Sequence, residues 1–152
     1  MRVLITGGAG FIGGTLARAH RDRGDHVVAL DSLVTGVASQ VPDGIELVQA
    51  DIRDPDLPAI IRSRGPFDLV SHHAALKDVR LALLDPRADA DVNVLGTLNV
   101  IRAAVDAGAG RLTFASSAAV YGDPPSFPTD EDAPIVPISP YGIGKYAGEL
   151  YG

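Results

Sequence analysis

Thr6-Gly7-Gly8-Ala9-Gly10-Phe11-Ile12-Gly13 lies directly behind an apolar run, Arg2–Thr6, and runs into a segment with helical spacing, Phe11–Arg23. Gly8, Gly10 and Gly13 satisfy G-x-G-x-x-G, and Gly7, Gly10 and Gly13 satisfy a close variant. That pattern carries weight only between a strand and a helix, which is where this one falls. One glycine makes the tight turn, one lets backbone approach a pyrophosphate, and one lets the helix pack closely on the strand. The helix N-terminus then offers free N–H groups and a positive dipole end to the phosphates. The stretch therefore reads as a dinucleotide-phosphate loop. The alternative is a flexible glycine turn.

Working outward, His26–Leu30, Glu46–Ala50, Phe67–Ser71 and Arg111–Ala115 read as further strands. Pro55–Ser63, Arg87–Ala107 and Pro140–Tyr151 read as helices, the first stopped by Gly65-Pro66 and the second by Gly108. No repeat, linker or low-complexity segment interrupts them. Strands alternating with helices imply right-handed βαβ units on a parallel sheet. The nearly uniform apolarity of the strands fits a sheet covered on both faces. The expected class is α/β, a Rossmann-type doubly wound parallel sheet forming one domain over 1–152. Ligands of such sheets bind beyond the carboxyl ends of the strands. Gly7 to Gly13, Asp31, Asp51, His72 to Lys77 and Ser116-Ser117 all fall at those ends.

The bulk properties narrow the function classes. A chain of 152 residues with 46% hydrophobic content suits a single globular core. No apolar run approaches the roughly 18 residues of a membrane span. The start lacks the apolar region and cleavage site of a signal peptide, so a cytoplasmic setting is expected. The absence of cysteine excludes disulfides, thiolate metal ligation and a cysteine nucleophile. With a net charge of −6 and no basic run, a nucleic-acid partner is not expected. The only lysines are Lys77 and Lys145.

Asp31 follows Gly13 by eighteen residues. A carboxylate there accepts hydrogen bonds from adenosine ribose hydroxyls and repels a 2′-phosphate, which favours NAD over NADP. Asp51-Ile52 either borders the adenine or belongs to a capping run in which Asp54-Pro55 supplies Ncap and N1. Tyr141 and Lys145 are four apart at a helix start, on one face. A phenol is too weak an acid to serve as a base at neutral pH unaided. A neighbouring ammonium and a positively charged nicotinamide favour its phenolate. Ser117 would hold a substrate oxygen against Tyr141. The bland alternative is a Tyr–Lys packing pair on an exposed helix. His72 and His73, adjacent on a strand, point to opposite faces and have no acidic partner at ligand spacing, so no metal is expected. Lys77 either reaches the cofactor or is a solvated loop lysine. Asn93, unfavourable within a helix, either bonds backbone near the cofactor or is a surface residue.

The chain resembles the extended short-chain dehydrogenase/reductase superfamily, and within it the NAD-dependent sugar-nucleotide epimerases of the UDP-glucose 4-epimerase group. The resemblance is carried by TGGAGFIG at 6–13, LDSLVTG at 30–36, DIRD at 51–54 and HHAALK at 72–77. It continues through NVLGTLNV at 93–100, SSAAVYGDP at 116–124 and SPYGIGK at 139–145. It implies catalytic roles for Ser117, Tyr141 and Lys145. It also implies NAD contacts from Phe11, Ile12, Asp31, Ser32, Asp51, Ile52, Ala74, Lys77 and Asn93, beside Gly7, Gly10, Gly13, Tyr141 and Lys145. The implied chemistry is transient oxidation of a UDP-sugar at C4 and reduction from the other face. Related 4,6-dehydratases carry Asp-Glu after the active Ser or Thr, whereas Ala118-Ala119 stand here, and a methyl group is neither acid nor base. A dehydratase or reductase of the same superfamily, or a non-catalytic NAD-binding module, are the alternatives. Members of this group run to roughly twice the length. The chain is therefore expected to be an N-terminal portion without its substrate domain, weak or inactive alone. In the full-length homodimer the last helix would pair with Arg87–Ala107.

Overall fold

The computed structural model describes residues 1–152. Its core is a wholly parallel sheet of order β3-β2-β1-β4-β5. The strands are β1 (Arg2–Thr6), β2 (His26–Asp31), β3 (Glu46–Gln49), β4 (Leu69–His72) and β5 (Leu112–Phe114). The chain steps from β1 outward to β3, then crosses back to lay β4 on the other side of β1. At this reversal the connections leave toward opposite sides and open a crevice at the carboxyl ends of the strands. The register sets Thr6 beside Leu30 and His72, so the segments that follow these strands meet at one rim.

Side chains alternate along each strand with period two. Val3, Ile5 and Val27 face α1 (Phe11–Asp22) through Ala17 and Leu16. Leu4, Val28, Leu30 and Val70 face the other way, onto α2 (Leu57–Arg62) through Leu57 and Ile61. The same face takes Val100, Ala103 and Ala104 of α5 (Thr97–Asp106). Helices thus cover both faces, as expected of a doubly wound sheet. Each buried aliphatic chain contributes about 1.5–3 kcal/mol relative to exposure.

Three local features depart from the sequence reading. The expected helix over Arg87–Ala107 is compound: α4 (Pro86–Ala90), a π-helical stretch (Asp91–Gly96) and α5, with αR backbone through the joints. A helix not anticipated, α3 (Val79–Leu84), precedes it. Asp78 caps α3 at Arg80 N (2.9 Å), and Asp85 caps α4 at Ala88 N (3.0 Å). Asp54-Pro55 is not the cap of α2. That helix starts at Leu57, while Asp54 Oδ1 accepts from Asp56 N at 2.8 Å in a turn. The last helix, α6 (Pro140–Tyr151), begins where expected: Ser139 Oγ accepts from Gly142 N at 3.0 Å, and Pro140 occupies the first turn. No helix is long and apolar enough to cross a membrane.

Candidate active site

A cleft of about 650 Å³ opens at the carboxyl ends of the strands. Its floor is the β1–α1 turn. Gly7 has φ +69°, and a Cβ there would stand 2.7 Å from Ala74 N. A Cβ on Gly13 would fall on Gly7 O. The turn closes through Gly10 N to Gly7 O at 3.0 Å, which presents bare backbone to the cleft. Gly7, Gly10, Phe11, Ile12 and Gly13 all line it.

Asp31 and Ser32 form the next wall. The buried Asp31 carboxylate is already partly engaged: Oδ2 accepts from Ala9 N at 3.0 Å and Oδ1 from Leu33 N at 2.8 Å. Each oxygen keeps further acceptor capacity for a ligand hydroxyl. Asp51 and Ile52 line the cleft as well. Arg53 bridges Asp51 (2.7 Å) to Asp91 of the π-helical stretch (3.0 Å), and its guanidinium holds the Asp51 carboxyl below the usual range. Asn99 Nδ2 donates to Ile52 O and Asp54 O, each at 2.8 Å, and so ties this wall to α5. Asp51 is local to Arg53, but Asp91 and both carbonyls held by Asn99 lie on other segments, so nothing local marks the two residues as supports.

Behind β4 the two histidines part company. His72 is buried between the sheet and α5. Thr97 Oγ1 donates to Asn93 O at 2.7 Å and so accepts from His72 Nε2 at 3.1 Å. That assigns His72 Nδ1 as acceptor from Thr6 Oγ1 at 2.6 Å. Thr6 Oγ1 also accepts from His73 N and Ala74 N, each at 3.2 Å. Burial, aided by the Lys145 and His73 charges, pushes the His72 pKa down to about 3. His73 points the other way, to Ser71 Oγ at 2.8 Å, and lines the cleft. Ala74 and Lys77 line it too.

Asn93 is not a surface residue and not part of the cleft wall. It is 1% exposed, clamps Leu76 N and Leu76 O at 2.9 Å each, and donates to Asp89 Oδ1 at 2.8 Å. It therefore bonds backbone, and Leu76 in turn lines the cleft. The π-helical turn carries Asn93 inward. Such bulges frequently accompany functional sites.

α6 brings in Tyr141 and Lys145, both on the cleft wall and one turn apart. Lys145 is 4% exposed, with Nζ 4.6 Å from the centre of the Phe114 ring. Burial lowers its pKa to about 8, against the opposing pull of the Asp89 carboxylate. Ser117 does not line the cleft. Its Oγ accepts from Ala119 N at 3.2 Å and caps the short turn Ala118–Tyr121. Ser116 lines the cleft instead, with Oγ donating to the Glu149 carboxylate. The arrangement brings a bare glycine turn, a tyrosine and a buried lysine one helical turn from it to one cleft.

Residues 3–152 match the NAD dependent epimerase/dehydratase family. The UDP-glucose 4-epimerase of Mycolicibacterium smegmatis is 44% identical over 157 aligned residues, covering 99% of this chain and 50% of that protein. The Thermus thermophilus UDP-glucose 4-epimerase, solved in complex with NAD, superposes with a TM-score of 0.93 at 41% identity. That match covers 99% of this chain and 49% of the other. The Thermotoga maritima UDP-glucose 4-epimerase, solved with UDP-glucose, gives a TM-score of 0.94 at 33% identity over 99% of this chain and 50% of that one. The chain spans about half the length of the relatives it matches. With the family match running over nearly its whole length, the chain belongs to the NAD dependent epimerase/dehydratase family.

Proposed function

We propose that this chain is the cofactor-binding and catalytic half of an NAD-dependent sugar-nucleotide epimerase that interconverts UDP-glucose and UDP-galactose at C4. The observation that carries the reading is one cleft with Gly7, Gly10 and Gly13 at its floor and Tyr141 and Lys145 on its wall. These motifs lie more than a hundred residues apart in the chain. The cradle fits a dinucleotide: Gly7, Gly10 and Gly13 line the cleft without side chains, so a ligand can approach the main chain there, while the tight packing at Gly7 and Gly13 holds the turn in shape. Asp31 keeps acceptor capacity for ribose hydroxyls.

When bound, NAD supplies the hydride acceptor and donor for sugar C4. Tyr141 Oη takes the proton of the 4-hydroxyl and returns it after the sugar has turned over. The Lys145 ammonium favours the phenolate by charge and reaches the nicotinamide ribose. Ser117 Oγ accepts from Ala119 N, which leaves its own proton for the sugar oxygen. Phe11, Ile12, Ser32, Asp51, Ile52, Ala74 and Lys77 contact the cofactor, with Asn93 acting through Leu76. Ala118-Ala119 supply no acid or base beside Ser117, which favours epimerisation over dehydration. In the full-length enzyme, exposed Leu95 and Val105 on the long helix, with Ile143 and Leu150 on α6, supply apolar surface for a homodimer. The reaction belongs to cytoplasmic carbohydrate metabolism.

Calorimetric titration with NAD tests the cofactor part, and product analysis of the full-length protein with UDP-glucose tests the reaction. Y141F is expected to bind NAD and to lose about a hundredfold or more in turnover. Absence of NAD binding by the parent protein would sink the reading.

A further inference from the structure

At its Gly144–Lys145 turn, α6 lies against α4. A Cβ on Gly144 would stand 3.4 Å from Asp89 Oδ2 and 3.4 Å from Asn93 Cβ. Asp89 is 2% exposed. Its Oδ1 accepts from Asn93 Nδ2 at 2.8 Å, and its Oδ2 has no hydrogen-bond partner. A carboxylate buried with half its acceptors unused is costly unless a cation compensates it.

Lys145 and Asp89 form no direct ion pair; the Asp89 charge acts on Lys145 across the Gly144 contact, against a burial that raises the Asp89 carboxyl pKa. His72 at the end of β4 and His73 just after it both feel the Lys145 charge, and burial pushes both toward the neutral form. Arg80 of α3 is exposed and paired with Asp78. Arg53 is taken by Asp51 and Asp91, and Glu149 of α6 holds the Ser116 hydroxyl. Tyr141 and Lys77 share the cleft wall with Lys145. Phe114 of β5 offers a ring face and no charge.

We propose that Asp89 is a positioning residue: aimed by Asn93 beneath the Gly144–Lys145 turn, its carboxylate is the buried counter-charge that keeps the Lys145 side chain an ammonium. Burial by itself drives Lys145 toward the neutral amine, so Asp89 decides the pH range over which Tyr141 has a cation beside it. The coupling between the two groups is independent of the proposed reaction. Only its catalytic meaning rests on that reading.

The chain has two lysines, so the K77R variant labelled with ¹³C,¹⁵N-lysine reports Lys145 alone. Its Cε and Nζ shifts are followed against pH with and without D89N. The Lys145 midpoint, about 8 with Asp89 in place, is expected to fall in D89N by about one pH unit or more. An unmoved midpoint in a folded D89N protein overturns the proposal. Should D89N fail to fold, K145M carries the test from the other side. There the Asp89 carboxyl carbon must titrate at higher pH than in the parent, and an equal midpoint overturns the proposal. NAD titration of the parent protein, with Lys77 in place, separates the two readings. Coupling without NAD binding keeps Asp89 and sinks the epimerase. NAD binding with a Lys145 midpoint indifferent to D89N does the reverse.

Discussion

Replacing His72 with glutamine is expected to flatten the pH dependence of stability between pH 7 and pH 5. His72 is 1% exposed, and burial lowers its pKa from the ordinary 6.5 to about 3. The folded protein therefore keeps the ring neutral, while the unfolded chain takes up a proton below about pH 6.5. For a base whose folded pKa is depressed, the unfolded state binds more protons between the two values. Stability is fully present above the unfolded pKa and is lost as pH falls toward the folded one. Between pH 7 and pH 5 that loss is about 2 kcal/mol, from roughly 1.4 kcal/mol per unit over about one and a half units. Glutamine offers Thr6 an acceptor and Thr97 a donor but does not titrate. Urea unfolding of both proteins at both pH values isolates the effect, since His73 and the arginine-paired Asp51 and Asp78 contribute equally to each and cancel. The parent should lose about 2 kcal/mol more than H72Q on going to pH 5. Equal losses would mean that the imidazole reaches water or is protonated in the fold, and the Thr6–His72–Thr97 chain as assigned would be wrong.

Three further changes probe the scaffold of the site. G13A places a Cβ on Gly7 O, and the overpacking should cost about 1–3 kcal/mol and abolish the thermal shift caused by NAD. A G13A protein with parental melting and NAD response would disprove the close approach. S139A removes the α6 cap and should cost about 1 kcal/mol in urea unfolding. An unchanged midpoint would show that Gly142 N finds another acceptor. N93A removes the clamp on Leu76, for about 2–4 kcal/mol, and should speed hydrogen exchange at the Leu76 amide. Parental exchange there would show that the loop after β4 is held by something else.

What sequence alone determined is what short-range physics controls. The β1–turn–α1 unit was legible because its glycines sit a few residues apart, and each answers a steric demand of the turn itself. The start of α6 was legible because Ser139 and Pro140 act on the next turn of their own helix. The four-residue spacing of Tyr141 and Lys145 put both on one face, and both line the cleft. The alternation of apolar runs with helical stretches was enough for the parallel sheet. Tertiary structure decided the rest. The caps of α3 and α4, Asp78 and Asp85, were in plain view, but Arg87–Ala107 read as one regular helix because a π-helical turn leaves no clear mark in periodicity. That Asn93 clamps Leu76, and that Ser117 caps the turn after it beside the cleft-lining Ser116, came from the packing alone. Asp89, Asn99 and the Thr6–His72–Thr97 chain were invisible because their partners lie on other elements: Asn99 reaches 47 residues back to Ile52, and His72 reaches 66 back to Thr6. A polar side chain looks the same in sequence whether it meets water or a buried partner. Only the packing that removes the water tells them apart, and with it what each group does to the charge of Lys145.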